Sequence, residues 1–333
     1  MKAKILIALI LLALVANPIC AADDAYTNVR GEFIKLYKAG EYKDAAKILE
    51  KNFNRFPDHA TAMGWNLAIT YMKLENFKKG LAAMNRVHKK GQWFNIWMLK
   101  NPALEPFRKL KGFSRLEARN EELRAQVQAT AKPILKIIEP EGFDKQKKYP
   151  LFIALHGGGG NLEGFMPKWT SPLLKKSFIV AYPQSSQVVS MDGFSWEERD
   201  TTNREIAEAY KKVSTQYALT NEVLIGGFSS GGMASLQLVM DNVIPVKGFV
   251  VLCLPVPESL TDEQIVAARH RGIRGTIITS ELDRRIKDQR VMADRFKKAG
   301  LQYQFIVTPN IGHWFPEDMG AKIDDAIAHI RNR

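Results

Sequence analysis

One stretch of the sequence has residue types and spacing suited to nucleophilic chemistry. It is Val223-Leu224-Ile225-Gly226-Gly227-Phe228-Ser229-Ser230-Gly231-Gly232, a short apolar run that enters a Gly-x-Ser-x-Gly pattern and leaves it with helical spacing. A strand, a turn and a helix in that order are what the pattern needs to hold a reactive serine. Glycines two residues before and two after Ser229 permit a sharp turn that side chains would crowd. Ser229 then projects from the strand end beside a helix N-terminus, whose free amides favour negative charge. The pattern alone also occurs in ordinary glycine-rich turns, so the flanking elements carry the weight here.

A serine hydroxyl is a weak nucleophile at its own pKa; a base must take its proton and an acid must orient that base. His313 lies in Pro309-Asn310-Ile311-Gly312-His313-Trp314, just after an apolar run, and is the one histidine expected at a C-terminal strand end. His270 sits in an amphipathic helical pattern, His329 near the C-terminus, and His59 and His88 in an N-terminal helical region, where packing or exposure accounts for them. The acid is expected after the preceding strand, where Ser280-Glu281-Leu282-Asp283-Arg284-Arg285 offers Glu281 and Asp283, with Asp288 further on. Asp283 is assigned, because Glu281 hugs the strand end and Asp288 fits a helix N-cap.

An earlier run, Pro150-Leu151-Phe152-Ile153-Ala154-Leu155, ends in His156-Gly157-Gly158-Gly159-Gly160, which leaves backbone amides uncovered by side chains. Acyl transfer builds an oxyanion, and losing one aimed donor to it costs about 2.7–4 kcal/mol. The oxyanion hole is assigned to the Gly158 and Ser230 amides. His156 precedes the nucleophile and is read as bracing its loop rather than as the base. A phosphate-binding loop would continue into Gly-Lys-Ser/Thr, which is not there.

For these residues to meet, short apolar runs must alternate with helices, and residues 134–333 do so. That alternation predicts an α/β domain with a mostly parallel sheet. Strands are expected at 151–155, 178–182, 223–226, 248–254, 276–279 and 302–307, and helices at 203–217, 233–240, 289–299 and 318–331.

With the elements in this order, residues 134–333 resemble the α/β-hydrolase superfamily. Within it they are similar to the esterase branch that includes feruloyl esterases, polyester depolymerases and phospholipase/carboxylesterases. The carriers are Lys148-Tyr149-Pro150, Leu155-His156-Gly157-Gly158-Gly159, Tyr182-Pro183, Trp196, Gly227-Phe228-Ser229-Ser230-Gly231-Gly232, Asp283 and Gly312-His313. The resemblance implies the α/β-hydrolase fold and acyl-serine chemistry without a cofactor, in which Ser229 attacks, His313 shuttles protons and Asp283 orients it. The chain departs from the family before Tyr149, where the antiparallel strands that open this fold look truncated. Trp314, Phe315, Phe165, Met166 and Trp169 either form an acyl or aryl pocket or simply pack. Arg284 and Arg285 either recognise an anionic substrate group or are solvated loop charges. No metal-ligand spacing appears.

At the N-terminus, Lys2 and Lys4 precede an apolar run over 5–15, and Asn17-Pro18 leads into Ala21 and Ala22. The run is short of the roughly 20 residues a membrane-spanning helix needs. It reads as a cleavable signal peptide, residues 1–22, directing export to the periplasm or the medium and leaving no transmembrane segment. Cys20 follows the bulky Ile19, unlike a lipoprotein signal. Without Cys20 only Cys253 remains, in an apolar run, so neither a disulfide nor a catalytic thiol is expected.

Between signal and catalytic region, residues 26–91 show helical spacing throughout. Residues 38–45 recur 35 positions later as 73–80, with Tyr42 and Phe77 at the same place. This segment resembles tetratricopeptide repeats, including Phe56-Pro57-Asp58 at the first unit's end. An all-α helical repeat domain is therefore expected over 23–130, closed by helices within 103–127, with a linker near 130–133. Residues 23–136 carry 22 Lys and Arg against 12 Asp and Glu, a net of +10, whereas 137–333 carry 24 against 23. A basic exported domain fits a protein or anionic envelope partner, although a solvated lysine-rich surface explains the same count. No nucleic-acid partner is expected.

Three functions compete. The first is an exported carboxylic-ester hydrolase acting on a small-molecule or polymer-borne ester. A serine peptidase of the same fold shares the residue order but is usually joined to a propeller, and no β-blade repeat is present. A catalytically inert repeat-based binding protein would typically lack one catalytic residue, and here every position is filled.

Overall fold

A computed structural model describes residues 18–332. The lysines and apolar run of the expected signal peptide lie outside the described residues. The described residues form two compact units, one of 18–94 and 99–123, the other of 95–98 and 124–332.

The first unit is helical: α1 (Pro18–Lys38), α2 (Tyr42–Asn52), α3 (Ala60–Lys73), α4 (Phe77–Lys89) and most of α5 (Phe113–Gln128). The α1–α2 and α3–α4 turns are one turn used twice. Glu41 N donates to Leu36 O at 3.0 Å, and 35 positions on Asn76 N donates to Tyr71 O at 2.8 Å. Gly40 and Glu75, also 35 apart, both take positive φ, 80° and 53°. Phe53, Phe94, Phe107 and Phe113 are fully buried in the core. Asn120 of α5 is buried among them. Its Oδ1 accepts from Phe94 N (2.7 Å), its Nδ2 donates to Phe94 O (3.0 Å), and it bonds His88 Nε2 (2.9 Å).

The division falls earlier than the linker at 130–133, because the end of α5 is bound into the second unit. Gln128 Nε2 donates to Ser186 O, and Val188 N donates to Gln128 Oε1, each at 2.9 Å. Residues 95–98 join the same unit through Ile96 N, which donates to Val189 O at 3.2 Å.

The second unit holds a seven-stranded sheet of β1 (Ile134–Ile138), β2 (Tyr149–Leu155), β3 (Ile179–Gln184), β4 (Leu219–Phe228), β5 (Gly248–Leu252), β6 (Arg274–Ser280) and β7 (Gln302–Thr308). Their spatial order is β1-β3-β2-β4-β5-β6-β7. β1 is antiparallel to β3, with Ile134 opposite Gln184 and Ile138 opposite Val180; the other pairings are parallel. The opening of the sheet is thus a single antiparallel edge strand, half-exposed along its length.

Parallel strands need covered faces. Along β2, Leu151, Ile153 and Leu155 enter one core with α6 (Arg199–Gln216), α7 (Ser230–Met240), α8 (Asp262–His270) and α9 (Ile286–Ala299). Phe152 and Ala154 enter the other, with Trp169, Leu174 and α10 (Met319–Arg331). The two-residue alternation of a strand therefore feeds two apolar layers, making a three-layer α/β/α unit. The carboxyl ends of β2, β4, β5, β6 and β7 carry the loops that hold the candidate site.

Candidate active site

Ser229 stands between β4 and α7 with φ 55° and ψ −119°, a conformation that costs energy in a non-glycine residue and recurs at functional turns. The turn survives because its backbone is packed without slack. A Cβ at Gly231 would lie 2.3 Å from His156 O and 2.4 Å from Leu155 O, and one at Gly227 2.6 Å from Leu155 O. Ser229 N donates to Leu252 O (2.9 Å), tying the turn to the end of β5.

The loop after β7 brings His313 to this serine: His313 Nε2 lies 2.9 Å from Ser229 Oγ. On the other side His313 Nδ1 lies 2.8 Å from Asp283 Oδ2, after β6. Asp283 is nearly fully buried, and its Oδ1 accepts Arg285 N at 2.9 Å. Burial alone would raise its carboxyl. The Arg285 amide, the hydrogen bond to His313, the charge that ring can carry and the Cys253 thiol outweigh burial and hold it below the ordinary carboxylate value. An ionised Asp283 accepting Nδ1–H leaves Nε2 as the acceptor for the Ser229 hydroxyl.

The other acids of that loop are elsewhere engaged. Glu281 Oε2 accepts Asn310 N at 2.9 Å, fastening the His313 loop to the β6 loop. Asp288 lies in the first turn of α9. His156 is fully buried at the end of β2. Its Nδ1 bonds Gly157 O (2.9 Å), its Nε2 accepts Ser185 N (3.4 Å), and its carbonyl accepts Trp196 Nε1 (2.9 Å). Burial, only partly offset by the Gly157 bond, pushes the ring down to about 4, so it is neutral and structural.

Gly158 lies close to Ser230, since a Cβ on Gly158 would stand 3.0 Å from Ser230 Oγ. The Gly159 and Gly160 amides are committed to Phe194 O (2.8 Å) and Gly157 O (3.0 Å). Ser230 opens α7, so its N–H is among those with no partner inside the helix. A cleft of about 270 Å³ adjoins them, lined by the glycine loop with Phe165, Lys168, Phe228, Trp314 and Phe315. Of the aromatic candidates, Trp169 is instead fully buried, stacked on Phe165.

Two neighbours of the site were not foreseen. Cys253, at positive φ (49°) just past β5, has its Sγ 3.4 Å from Ser280 Oγ. Its sulfur, an Asp283 oxygen and a His313 nitrogen lie within 4.8 Å of one another. Burial pushes the thiol up to about 12, so it sits beside the acid protonated. With the His313 ring already bonded at both nitrogens, this cluster belongs to the hydrogen-bonded chain. A residue following a central strand is the positional signal that could have marked Cys253. The other is Trp97, whose ring lies against Gly158 and Gly159; nothing in its sequence surroundings marks it.

No family model matches the sequence, and neither does any curated protein. Among solved structures, the chain is similar to an uncharacterized protein from Bacillus cereus ATCC 10987, at 24% identity over 92% of this chain and 99% of that one, with a TM-score of 0.53. It is also similar to esterase PE8 (14% identity, 60% of this chain and 99% of that one, TM-score 0.49) and to acyl-protein thioesterase 2 of Zea mays (18%, 59% and 99%, TM-score 0.48). The fold is the α/β-hydrolase fold, with a mostly parallel sheet and flanking helices.

Proposed function

We propose that the protein is an exported serine hydrolase that cleaves carboxylic esters through an acyl-Ser229 intermediate. The observation that carries this is the continuous Ser229–His313–Asp283 chain, 2.9 and 2.8 Å long at its two links, built on a positive-φ turn. His313 Nε2 takes the hydroxyl proton as Ser229 Oγ attacks the acyl carbon, and the carbonyl oxygen becomes an oxyanion facing the Gly158 and Ser230 amides. His313 then gives that proton to the departing alkoxide. Water repeats the sequence on the acyl-serine, releasing acid and restoring the hydroxyl. Asp283 keeps the imidazole in the tautomer both steps need. No cofactor enters these steps.

The choice of ester over amide rests on the resemblance of the sequence motifs, and the apolar cleft beside the nucleophile supports it by suiting an acyl or aryl group. Export rests on Lys2, Lys4 and the apolar run after them. The helical unit is read as tetratricopeptide-like, supported by the turn repeated at 35 positions, and as the contact for an anionic envelope partner.

The test is labelling of the mature protein with a fluorophosphonate probe and peptide mapping, followed by turnover of short-chain p-nitrophenyl esters. Modification at Ser229, with turnover lost in Ser229→Ala, is expected. A well-folded protein that neither labels nor turns over would shift the function to binding.

A further inference from the structure

Trp97 is far from the nucleophile in sequence, in a one-turn helix, Ile96–Leu99, yet residues 95–98 belong to the catalytic unit. Their placement is well anchored. Asn95 Oδ1 accepts Trp97 N at 2.8 Å, and Ile96 N donates to Val189 O at 3.2 Å. From this base the indole reaches the glycine loop. A Cβ on Gly158 would stand 3.0 Å from Trp97 Cη2, and one on Gly159 3.5 Å from Cζ3. The six-membered ring is therefore in contact with the turn whose amide faces the oxyanion in the mechanism above.

Trp97 is nevertheless 39% exposed, while Trp93, Trp169 and Trp196 are fully buried. A large apolar ring kept partly in water against the glycine loop is a surface with something left to cover, since apolar area removed from water is worth about 25 cal/mol per Å². Trp97 does not line the cleft of Phe165, Phe228, Trp314 and Phe315, but Gly158 and Gly159 line that cleft and also carry Trp97. Two aromatic surfaces thus share one oxyanion loop. An ester bound at Ser229 likewise has two halves joined at one carbonyl.

We propose that Trp97 determines specificity: its exposed indole packs against a planar apolar ring in one half of the ester, so the enzyme favours aryl esters over small alkyl ones. This rests on the ester-hydrolase reading. Ring-on-ring contact is directional and adds to area burial, so losing it should be selective for ring-bearing substrates.

The test compares kcat/KM of the full chain and Trp97→Ala on phenyl acetate, methyl benzoate and methyl acetate, which place the ring in the alcohol half, in the acyl half and nowhere. Trp97→Ala should lose roughly tenfold on one of the two aryl esters while methyl acetate stays within about twofold, the size expected of one ring contact. Trp97→Phe should recover most of the loss, which a merely structural role would not predict. An equal loss on all three, or none on any, overturns the proposal for Trp97 and leaves the ester reading standing. A wild-type chain that hydrolyses none of the three removes the ester reading itself, and this proposal with it.

Discussion

At the scale of single residues, the site separates two carboxylates that look interchangeable in sequence. Asp283 is buried and bonded to His313 Nδ1, whereas Glu281 spends its carboxylate on the Asn310 amide. Replacing Asp283 by Asn removes the acceptor that selects the Nδ1–H tautomer, leaving Nε2 in the wrong state to take the serine proton. Turnover of p-nitrophenyl esters should fall roughly 10⁴-fold in Asp283→Asn. In Glu281→Gln it should remain near the wild-type level, because the amide oxygen still accepts from Asn310. The reverse outcome, read in kcat, would move the acid to Glu281. That Ser229, Asp283 and His313 meet was legible in the sequence, because each needs only a residue type at the end of a recognisable strand. The places of Cys253 and Trp97 beside them were not, because they depend on side-chain proximity across the fold, with no local pattern to announce them.

At the scale of elements, the strands and helices expected from hydrophobic spacing fall within a few residues of those found in the second unit, since buried parallel strands write continuous apolar runs. What the spacing hid was the edge. β1 is half-exposed and pairs on one side only, so Ile134-Leu135-Lys136-Ile137-Ile138 lacks the burial that marks a central strand, and its antiparallel partner is set by β3 far along the chain. The short pairing of Gln187–Val188 with Phe194–Ser195 was likewise invisible. The loop after β2 shows how one element depends on a buried ring. His156 bridges Gly157, Ser185 and Trp196, and its ring is held at about 4, below the usual 6.5 of an unfolded chain. The native state therefore resists protonation that the unfolded state accepts between these values. At about 1.4 kcal/mol per pH unit, roughly 3 kcal/mol of stability is present above pH ~6.5 and is lost as pH falls toward ~4. Urea unfolding at pH 7.5 and 4.5 should show this loss in the wild type and a smaller one in His156→Asn, whose amide still donates to Gly157 O without titrating. Equal pH dependence in both would assign the acid sensitivity to other groups.

At the scale of the whole molecule, the charge is divided along the sequence: residues 23–136 carry the net excess, and residues 137–333 are nearly neutral. Part of that excess faces a groove of about 740 Å³ between α4 and the start of α5, lined by Arg86, Lys89, Lys111, Arg115 and Arg119 with no carboxylate. Arg86 is paired with Glu50 and Arg119 with Glu122, but Lys89, Lys111 and Arg115 make no ion pair among the described residues. Three unneutralised cations facing one groove repel one another, and an anionic group bound there relieves that repulsion. Exposed attraction of this kind is screened over about 10 Å at 0.1 M salt. Retention on a polyphosphate matrix should accordingly be strong at low salt and fall steadily as salt rises. Lys111→Glu combined with Arg115→Glu should elute at markedly lower salt with ester turnover unchanged, since neither residue lies at the Ser229 site. Because the change in total charge would itself shift elution, the control is a pair of Lys→Glu changes at Lys145 and Lys147 in the second unit. If that pair moves elution as far, the attraction belongs to overall charge and the groove is only a solvated basic surface; if it does not, the groove itself binds anions.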